Sequence, residues 1–169
     1  MKNYIKTLAL LGALAPEVAI AATATGTGHI SAKIVNPVTI TETQALNFGT
    51  ITNEAGFMGV SPTGARYTYG NNLVTDGSPV SPAQFTITGP NNQAITISMP
   101  ASGVTISSGN TSIPIQLWST DLQWNDGTWV TNKVLNSSGS LTISIGGEMD
   151  PQNAPEGDYT GTYAVTVDY

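Results

Sequence analysis

The sequence predicts an all-β domain built from antiparallel strands. Its closing segment, "GDYTGTYAVTVDY" (157–169), alternates apolar and polar side chains almost without exception. Such two-residue alternation is typical of a strand with one buried face and one solvated face. Similar short runs recur along the chain between turn residues, and no segment has the period of a long amphipathic helix. Many short strands in a chain of 169 residues favour an antiparallel sandwich or barrel.

The first 21 residues are predicted to be a secretory signal peptide. Lys2 and Lys6 precede the short apolar run 7–15, and Ala19 and Ala21 have the small-residue spacing of a cleavage site before position 22. The apolar run is shorter than the roughly 20 residues that span a bilayer. A retained N-terminal helix is the alternative. We therefore expect one exported domain over residues 22–169.

The composition excludes several classes of function. The formal net charge is −6, and the basic residues after position 21 are Lys33, Arg66 and Lys133, with one histidine, His29. The basic patches that bind nucleic acid or anionic lipid are therefore missing. The sequence has no cysteine, which excludes disulfides and thiolate metal sites. The fold must rest on packing and backbone pairing, and we expect no cofactor.

The predicted strands follow one another at short intervals. The first is 29–35, which places Ile30, Ala32 and Ile34 on one face after the Thr-, Ala- and Gly-rich stretch 21–29. That stretch also alternates, and residues 22–28 form a possible extended arm. Further strands are predicted at 45–51, 65–69, 84–88, 94–99, 103–107, 113–118 and 141–145.

Two local signals refine this pattern. Asp126-Gly127, between Trp124 and Trp129, is a strong signal for a two-residue hairpin turn. Pro114 lies inside an apolar run and has no backbone N–H to donate. It therefore indicates an edge strand or a bulge at that point.

Four segments carry a resemblance to known families. They are "LNFGTI" (46–51), "FTITGPNNQAITISMP" (85–100), "LTISIGGEM" (141–149) and "GDYTGTYAVTVDY" (157–169). In this order they resemble a bacterial secreted domain-of-unknown-function family with an early L-x-F-G and a C-terminal G-x-Y-x-G-x-x-x-V-x-V-x-Y. More distantly, the layout is similar to chaperone–usher fimbrial subunits and to spore coat protein U-like proteins. The resemblance implies an immunoglobulin-like β-sandwich with Greek-key connections, completed by a strand from outside.

The resemblance also implies roles for the two ends of the chain. The assembly strand would present Tyr159, Tyr163, Val165, Val167 and Tyr169, with Tyr169 pointing inward. A donor arm from another subunit would present Ala24, Gly26, Gly28, Ile30, Ala32 and Ile34. The implied partners are further copies of the chain in a filament or coat, with a periplasmic chaperone and an outer-membrane usher of a Gram-negative bacterium. Alternatively, residues 29–35 form the first strand of their own subunit.

An acidic loop is a candidate calcium site. Residues 149–158 contain Asp150, Asn153, Glu156 and Asp158, and calcium prefers several oxygen ligands on a flexible loop. The spacing matches no calcium motif, and acidic loops rich in Pro, Asn and Gly are ordinary turns. We therefore assign no metal, and calcium remains the weaker interpretation.

The tryptophans raise the possibility of sugar binding. Trp124, Asp126 and Trp129 would provide stacking and hydrogen bonding if the aromatic rings were exposed. The competing interpretation, which we favour, is packing in the core or in an interface, because cross-strand aromatic pairs stabilise hairpins. Trp118 continues an apolar run and is predicted to be in the core.

Catalysis is not expected. His29 lies in an alternating stretch where a solvent-facing position is the simpler interpretation, and no nucleophile–base set follows from the spacing. The sequence therefore predicts a non-catalytic structural subunit of a cell-surface filament or coat, exported through the periplasm. The alternative is a secreted carbohydrate-binding or adhesive module.

Overall fold

A computed structural model of the chain describes residues 22–70, 78–125 and 128–169, with the side chains of residues 124 and 125 left aside. The predicted signal peptide, 1–21, lies outside the described residues. The chain divides into two units, Met1–Lys33 and Ile34–Tyr169. In the first unit, residues 22–33 are exposed and form no helix or strand.

The second unit is built from strands alone, and its described residues contain no helix. In chain order the strands are β1 (Thr39–Gln44), β2 (Gly56–Val60), β3 (Arg66–Gly70), β4 (Ala83–Thr88), β5 (Ala94–Pro100), β6 (Val104–Ser108), β7 (Thr111–Trp118), β8 (Gln123–Asn125), β9 (Thr128–Val134), β10 (Ser140–Met149) and β11 (Thr166–Asp168). The prediction of an all-β, antiparallel domain is therefore confirmed. The described residues contain no helix that could span a membrane.

The strands form two antiparallel sheets. The larger sheet has the order β1-β4-β10-β2-β3, and β7 also pairs with β10 and carries β6. The smaller sheet has the order β11-β5-β9-β8. Strand β10 holds the larger sheet together, because residues 140–145 pair with β4 and residues 146–149 pair with β7. Its last three residues pair with β2 as well.

One apolar core is shared by side chains from both sheets. The smaller sheet contributes Ile95, Ile97 and Met99, as the alternation in 94–99 predicts. The larger sheet contributes alternate residues of its inner strands, including Ile87, Ile113, Ile115, Leu117, Ile143 and Ile145. Because these side chains leave water together, their burial is the main stabilising term of the fold.

The hairpin and proline predictions are confirmed. Strands β8 and β9 pair with Trp124 opposite Trp129 and Asn125 opposite Thr128, so only residues 126–127 connect them. Pro114 pairs with Thr105 of β6, while the pairing of β7 with β10 begins one residue later at Ile115. The proline thus lies where β7 has a neighbour on one side only, and its missing N–H leaves no gap in a ladder.

The closing strand is shorter than predicted. Thr160 forms a single bridge with Ser107 of β6, and β11 then pairs with β5 over Thr166–Asp168. The segment therefore passes from the larger to the smaller sheet, and a chain that changes sheets cannot keep one continuous ladder. Its alternation persists, since Tyr159, Tyr163, Val165 and Val167 pack partly buried against the core. The inward position of Tyr169 is wrong: its side chain is 67% exposed, one residue beyond the last pair.

Two other predicted strands are also absent. Residues 29–35 form no strand, and Ile30 and Ile34 are 100% and 96% exposed. Residues 45–51 form no continuous ladder; Asn47 bridges Ser81, and Gly49 has a φ of 72° that breaks an extended run. Strands β1 and β2 were missed. The glycines of β2 interrupt the alternation that would have marked it, and its last three residues are all buried.

Candidate functional site

A long groove in the second unit is the candidate site. It has a volume of about 1060 Å³ and is lined by two segments outside the regular strands, 46–53 and 154–163, together with residues of β6 and β7. Pockets for drug-sized molecules measure roughly 300–1,000 Å³. The volume of the groove therefore lies at the upper end of this range.

The lining combines polar residues with a set of apolar side chains. The buried side chains along it are Val104, Ile113, Ile115, Leu117, Met149 and Phe48. Leu46, Ile51, Ile106, Tyr159 and Tyr163 line the same groove and are only partly buried. Covering these partly exposed apolar side chains would be favourable, because apolar surface would leave water.

Hydrogen bonds join the two lining segments at one end. The Asn53 side-chain amide donates to the carbonyl of Ala154 at 3.0 Å, and the backbone N–H of Asn153 donates to the carbonyl of Asn53 at 3.2 Å. Asn153 has a φ of 59°, a left-handed conformation that Asn tolerates better than most residues. These hydrogen bonds fix the two segments to each other at Asn53.

Each segment is also anchored elsewhere on the domain. Asn47 and Ser81 exchange backbone hydrogen bonds at 2.9 and 3.0 Å. On the other side, Ser107 and Thr160 exchange backbone hydrogen bonds at 2.8 and 3.1 Å. Within the described part of the chain, residues 161–165 belong to no β-ladder. Of this stretch, Gly161 and Tyr163 line the groove.

Tyr163 lies on the groove with its hydroxyl buried. The ring packs edge-to-face on Phe85, with centroids 6.1 Å apart and planes at 74°. The hydroxyl has no hydrogen-bond partner among the described residues. Burial raises the pKa of Tyr163 well above the usual 10.0, and the negative charge of Glu42 raises it further. Both effects disfavour the phenolate form.

Replacing Tyr163 with Phe is expected to raise the free energy of unfolding at pH 7 by up to about 1 kcal/mol, because an unsatisfied buried hydroxyl is removed and the ring packing is kept. The pKa of Tyr163 is higher in the folded protein than in the unfolded chain, where it is near 10. The contribution of this difference to stability is therefore fully present below about pH 10 and is lost as the pH rises above that value. The variant should therefore lose stability less steeply above pH 10. Urea melts at pH 7 and pH 11 test both points; an equal alkaline loss in the two proteins would contradict them.

The family is shown by the sequence of the second unit. Residues 38–169 match the model of a domain of unknown function, DUF4402. The chain belongs to the DUF4402 family. This confirms the predicted membership of a domain-of-unknown-function family, and the matched residues include both segments that line the groove. No curated protein and no solved structure shows significant similarity to the chain.

The acidic loop of the DUF4402 domain contributes to the groove and forms no acidic cluster. The Asp150 carboxylate accepts a hydrogen bond from the Gln152 N–H at 2.9 Å, as in an ordinary turn. Glu156 and Asp158 are exposed residues of the groove lining. In the described ranges, no three Asp, Glu or His side chains are placed to hold a metal ion.

The tryptophans occupy different environments. Trp129 packs partly buried against the core of the DUF4402 domain, and its indole N–H donates to the carbonyl of Leu117 at 2.7 Å. Trp124 is opposite Trp129 in the hairpin, but its side chain and Asp126 lie outside the described residues. Trp118, predicted in the core, is only half-buried because its indole turns toward Tyr67, whose hydroxyl accepts its N–H at 3.2 Å.

The groove includes two of the five predicted assembly-strand residues. Tyr159 and Tyr163 line the groove, whereas Val165, Val167 and Tyr169 do not. Ala24, Gly26, Gly28, Ile30, Ala32 and Ile34 are all exposed. The sequence reasoning missed the groove itself. The apolar segment "LNFGTI" (46–51) lines the groove, but its residue pattern predicts a strand.

Proposed function

We propose that the protein is a non-catalytic structural subunit of a fimbria-like filament or coat on the surface of a Gram-negative bacterium, assembled by β-strand complementation. The observation that carries the proposal is the apolar groove between 46–53 and 154–163. The groove is lined by Gly161 and Tyr163, from a stretch outside the β-ladders of the described residues, and suits an added strand, which supplies backbone hydrogen bonds and apolar side chains together.

The finer fold belongs to this proposal. Two antiparallel sheets that share one core are the arrangement of a β-sandwich, and an immunoglobulin-like sandwich with Greek-key connections would give them this layout. Strand β10 pairs with β4 and with β2, which are both far from it in the sequence. Such pairing of distant strands supports Greek-key connections. An incomplete sandwich of this kind exposes its core along one side until a further strand fills it.

The segment proposed to fill the groove of another copy is 22–35. Its described residues are exposed and form no strand, so they are available for pairing. Fully extended, this segment would reach about 46 Å at roughly 3.3 Å per residue. Its alternation would turn Ile30, Ala32 and Ile34 toward the groove, with the small Ala24, Gly26 and Gly28 on the same side.

Export and assembly partners follow from the same requirement. A subunit with an uncovered apolar groove is prone to aggregation, so a periplasmic chaperone would cover the groove and an outer-membrane usher would exchange that cover for the next subunit. The sparse charge of the chain, with 9% Asp, Glu, Lys and Arg, is compatible with close packing of copies. We assign the protein no catalytic step.

The test compares two double variants of the arm. Ile30→Asp with Ile34→Asp places charges on the face proposed to enter the groove, where they would be buried without partners. Ser31→Asp with Lys33→Asp is the matched control on the opposite face. Electron microscopy and size-exclusion chromatography should show assemblies for the control and monomers for the Ile variant. Equal assembly of the two variants would rule out the arm as the link between subunits.

A further inference from the structure

A second surface of the molecule carries aromatic side chains that the groove does not use. On one face of the larger sheet, Phe57 is opposite Tyr69 in the pairing of β2 with β3. The next row on this face runs Tyr67, Gly59, Glu148 and Gln116 across β3, β2, β10 and β7. Trp118 follows Gln116 by two residues and so shares its face. We call Phe57, Tyr67, Tyr69 and Trp118 the aromatic platform.

Hydrogen bonds hold the centre of the platform in place. The Trp118 indole N–H donates to the Tyr67 hydroxyl at 3.2 Å, and that hydroxyl donates to the Glu148 carboxylate at 3.3 Å. The Tyr67 ring lies across Gly59, where any Cβ would overlap the ring. Tyr67 and Tyr69 meet edge-to-face, with centroids 5.8 Å apart. The Tyr67, Tyr69 and Trp118 rings are therefore arranged before any ligand arrives, which lowers the entropic cost of binding.

The edge of the platform is open to solvent. Phe57 is 48% exposed and Tyr69 is 66% exposed, which is unusual for two adjacent large aromatic side chains. In the next row, Glu148 is half-buried one strand from Phe57, and its partner Gln116 on β7 is exposed. A carboxylate has about four acceptor sites, and the Tyr67 hydroxyl takes one of them. Acceptors and donors therefore stand beside flat apolar rings.

We propose that the aromatic platform binds a neutral saccharide. The C–H face of a sugar ring would stack on Phe57 and Tyr69, while its hydroxyls donate to Glu148, one strand from Phe57 in the next row. The Glu148 carboxylate and the net charge of −6 disfavour an anionic glycan or a nucleic acid. A dry protein interface is disfavoured because it would bury the Glu148 carboxylate.

The experiment uses a printed glycan array carrying neutral hexose, N-acetylhexosamine and sialylated oligosaccharides, followed by affinity measurement on the strongest neutral binder. Tyr69→Ala should weaken that affinity at least tenfold because it removes the most exposed ring. Tyr169→Ala is the matched control, since that tyrosine is 67% exposed on the smaller sheet, and it should leave affinity unchanged. Circular dichroism of the two variants should match the parent.

Three outcomes would overturn the proposal. They are the absence of binding to every neutral glycan, a preference for sialylated over neutral members, and equal losses for Tyr69→Ala and Tyr169→Ala. Size-exclusion chromatography tests a different occupant of the platform, which is a second copy of the chain. If Tyr69→Ala changed the assembly state and left glycan binding intact, the platform would be a subunit interface and the saccharide assignment would be wrong.

Discussion

Replacing Ile145 with Asp is expected to leave most of the protein unfolded at 25 °C. Ile145 is fully buried and pairs with Ala83 in the centre of the larger sheet. A carboxylate there has no partner and must either stay charged in an apolar surrounding or take up a proton at a cost. The expected loss is about 5 kcal/mol, comparable with the whole stability of a small domain, which is about 5–15 kcal/mol.

The control for this prediction is Thr142→Asp on the same strand. Thr142 is exposed, and its hydroxyl makes only a long contact of 3.4 Å with Thr86. The same acidic side chain should there cost less than about 1 kcal/mol. Thermal melts followed by circular dichroism would compare the two. If the variants melted at the same temperature, the inward and outward positions of β10 would have been assigned to the wrong faces.

A synthetic peptide of residues 22–35 is expected to stabilise the protein variant with Ile30→Asp and Ile34→Asp, whose groove stays open. A ligand that binds only the folded state adds about 2.7 kcal/mol when its concentration is 100 times the dissociation constant. For a domain of this size that corresponds to a rise of about 10 °C in the unfolding temperature. The reason is that Leu46, Ile51 and Ile106 along the groove lose their remaining contact with water.

The matched control is the same peptide with Ser in place of Ile30 and Ile34. It keeps the length and the backbone hydrogen bonds but lacks the two large apolar side chains, and should shift the unfolding temperature by only a small fraction of that rise. Differential scanning calorimetry at several peptide concentrations measures both. Equal shifts for the two peptides, or none for either, would show that the groove does not take up this face of the arm.

The local residue pattern was sufficient to predict most of the strands. The alternation of Ile95, Ile97 and Met99 predicted both the strand and its buried face, because a strand's side chains alternate whatever it pairs with. The hairpin at Asp126-Gly127 was likewise predictable, since turn chemistry acts over a few residues. β1 and β2 were missed because β1 is largely polar and β2 is rich in glycine, and both owe their extended form to their neighbours.

The local residue pattern did not predict the structure of segments 29–35 and 157–169. Both carry clear alternation, yet 29–35 forms no strand and most of 157–169 belongs to no ladder. Alternation shows that a segment is suited to pairing, but pairing needs a neighbouring backbone, and no local pattern identifies one. The sequence could therefore not decide that the closing segment passes from β6 to β5, leaving Tyr169 exposed.

The sequence by itself determined the all-β class, the acidic and cysteine-free surface chemistry, and the buried faces of the strands that alternate, because each depends on residue type and on spacing within a few positions. Only the tertiary structure decided where the groove and the aromatic platform lie. Asn53 and Ala154 meet across 101 positions, and Tyr67 reaches Glu148 across 81. Contacts over such separations depend on the order of strands in the sheets, which is set by how the whole chain buries its apolar surface at once.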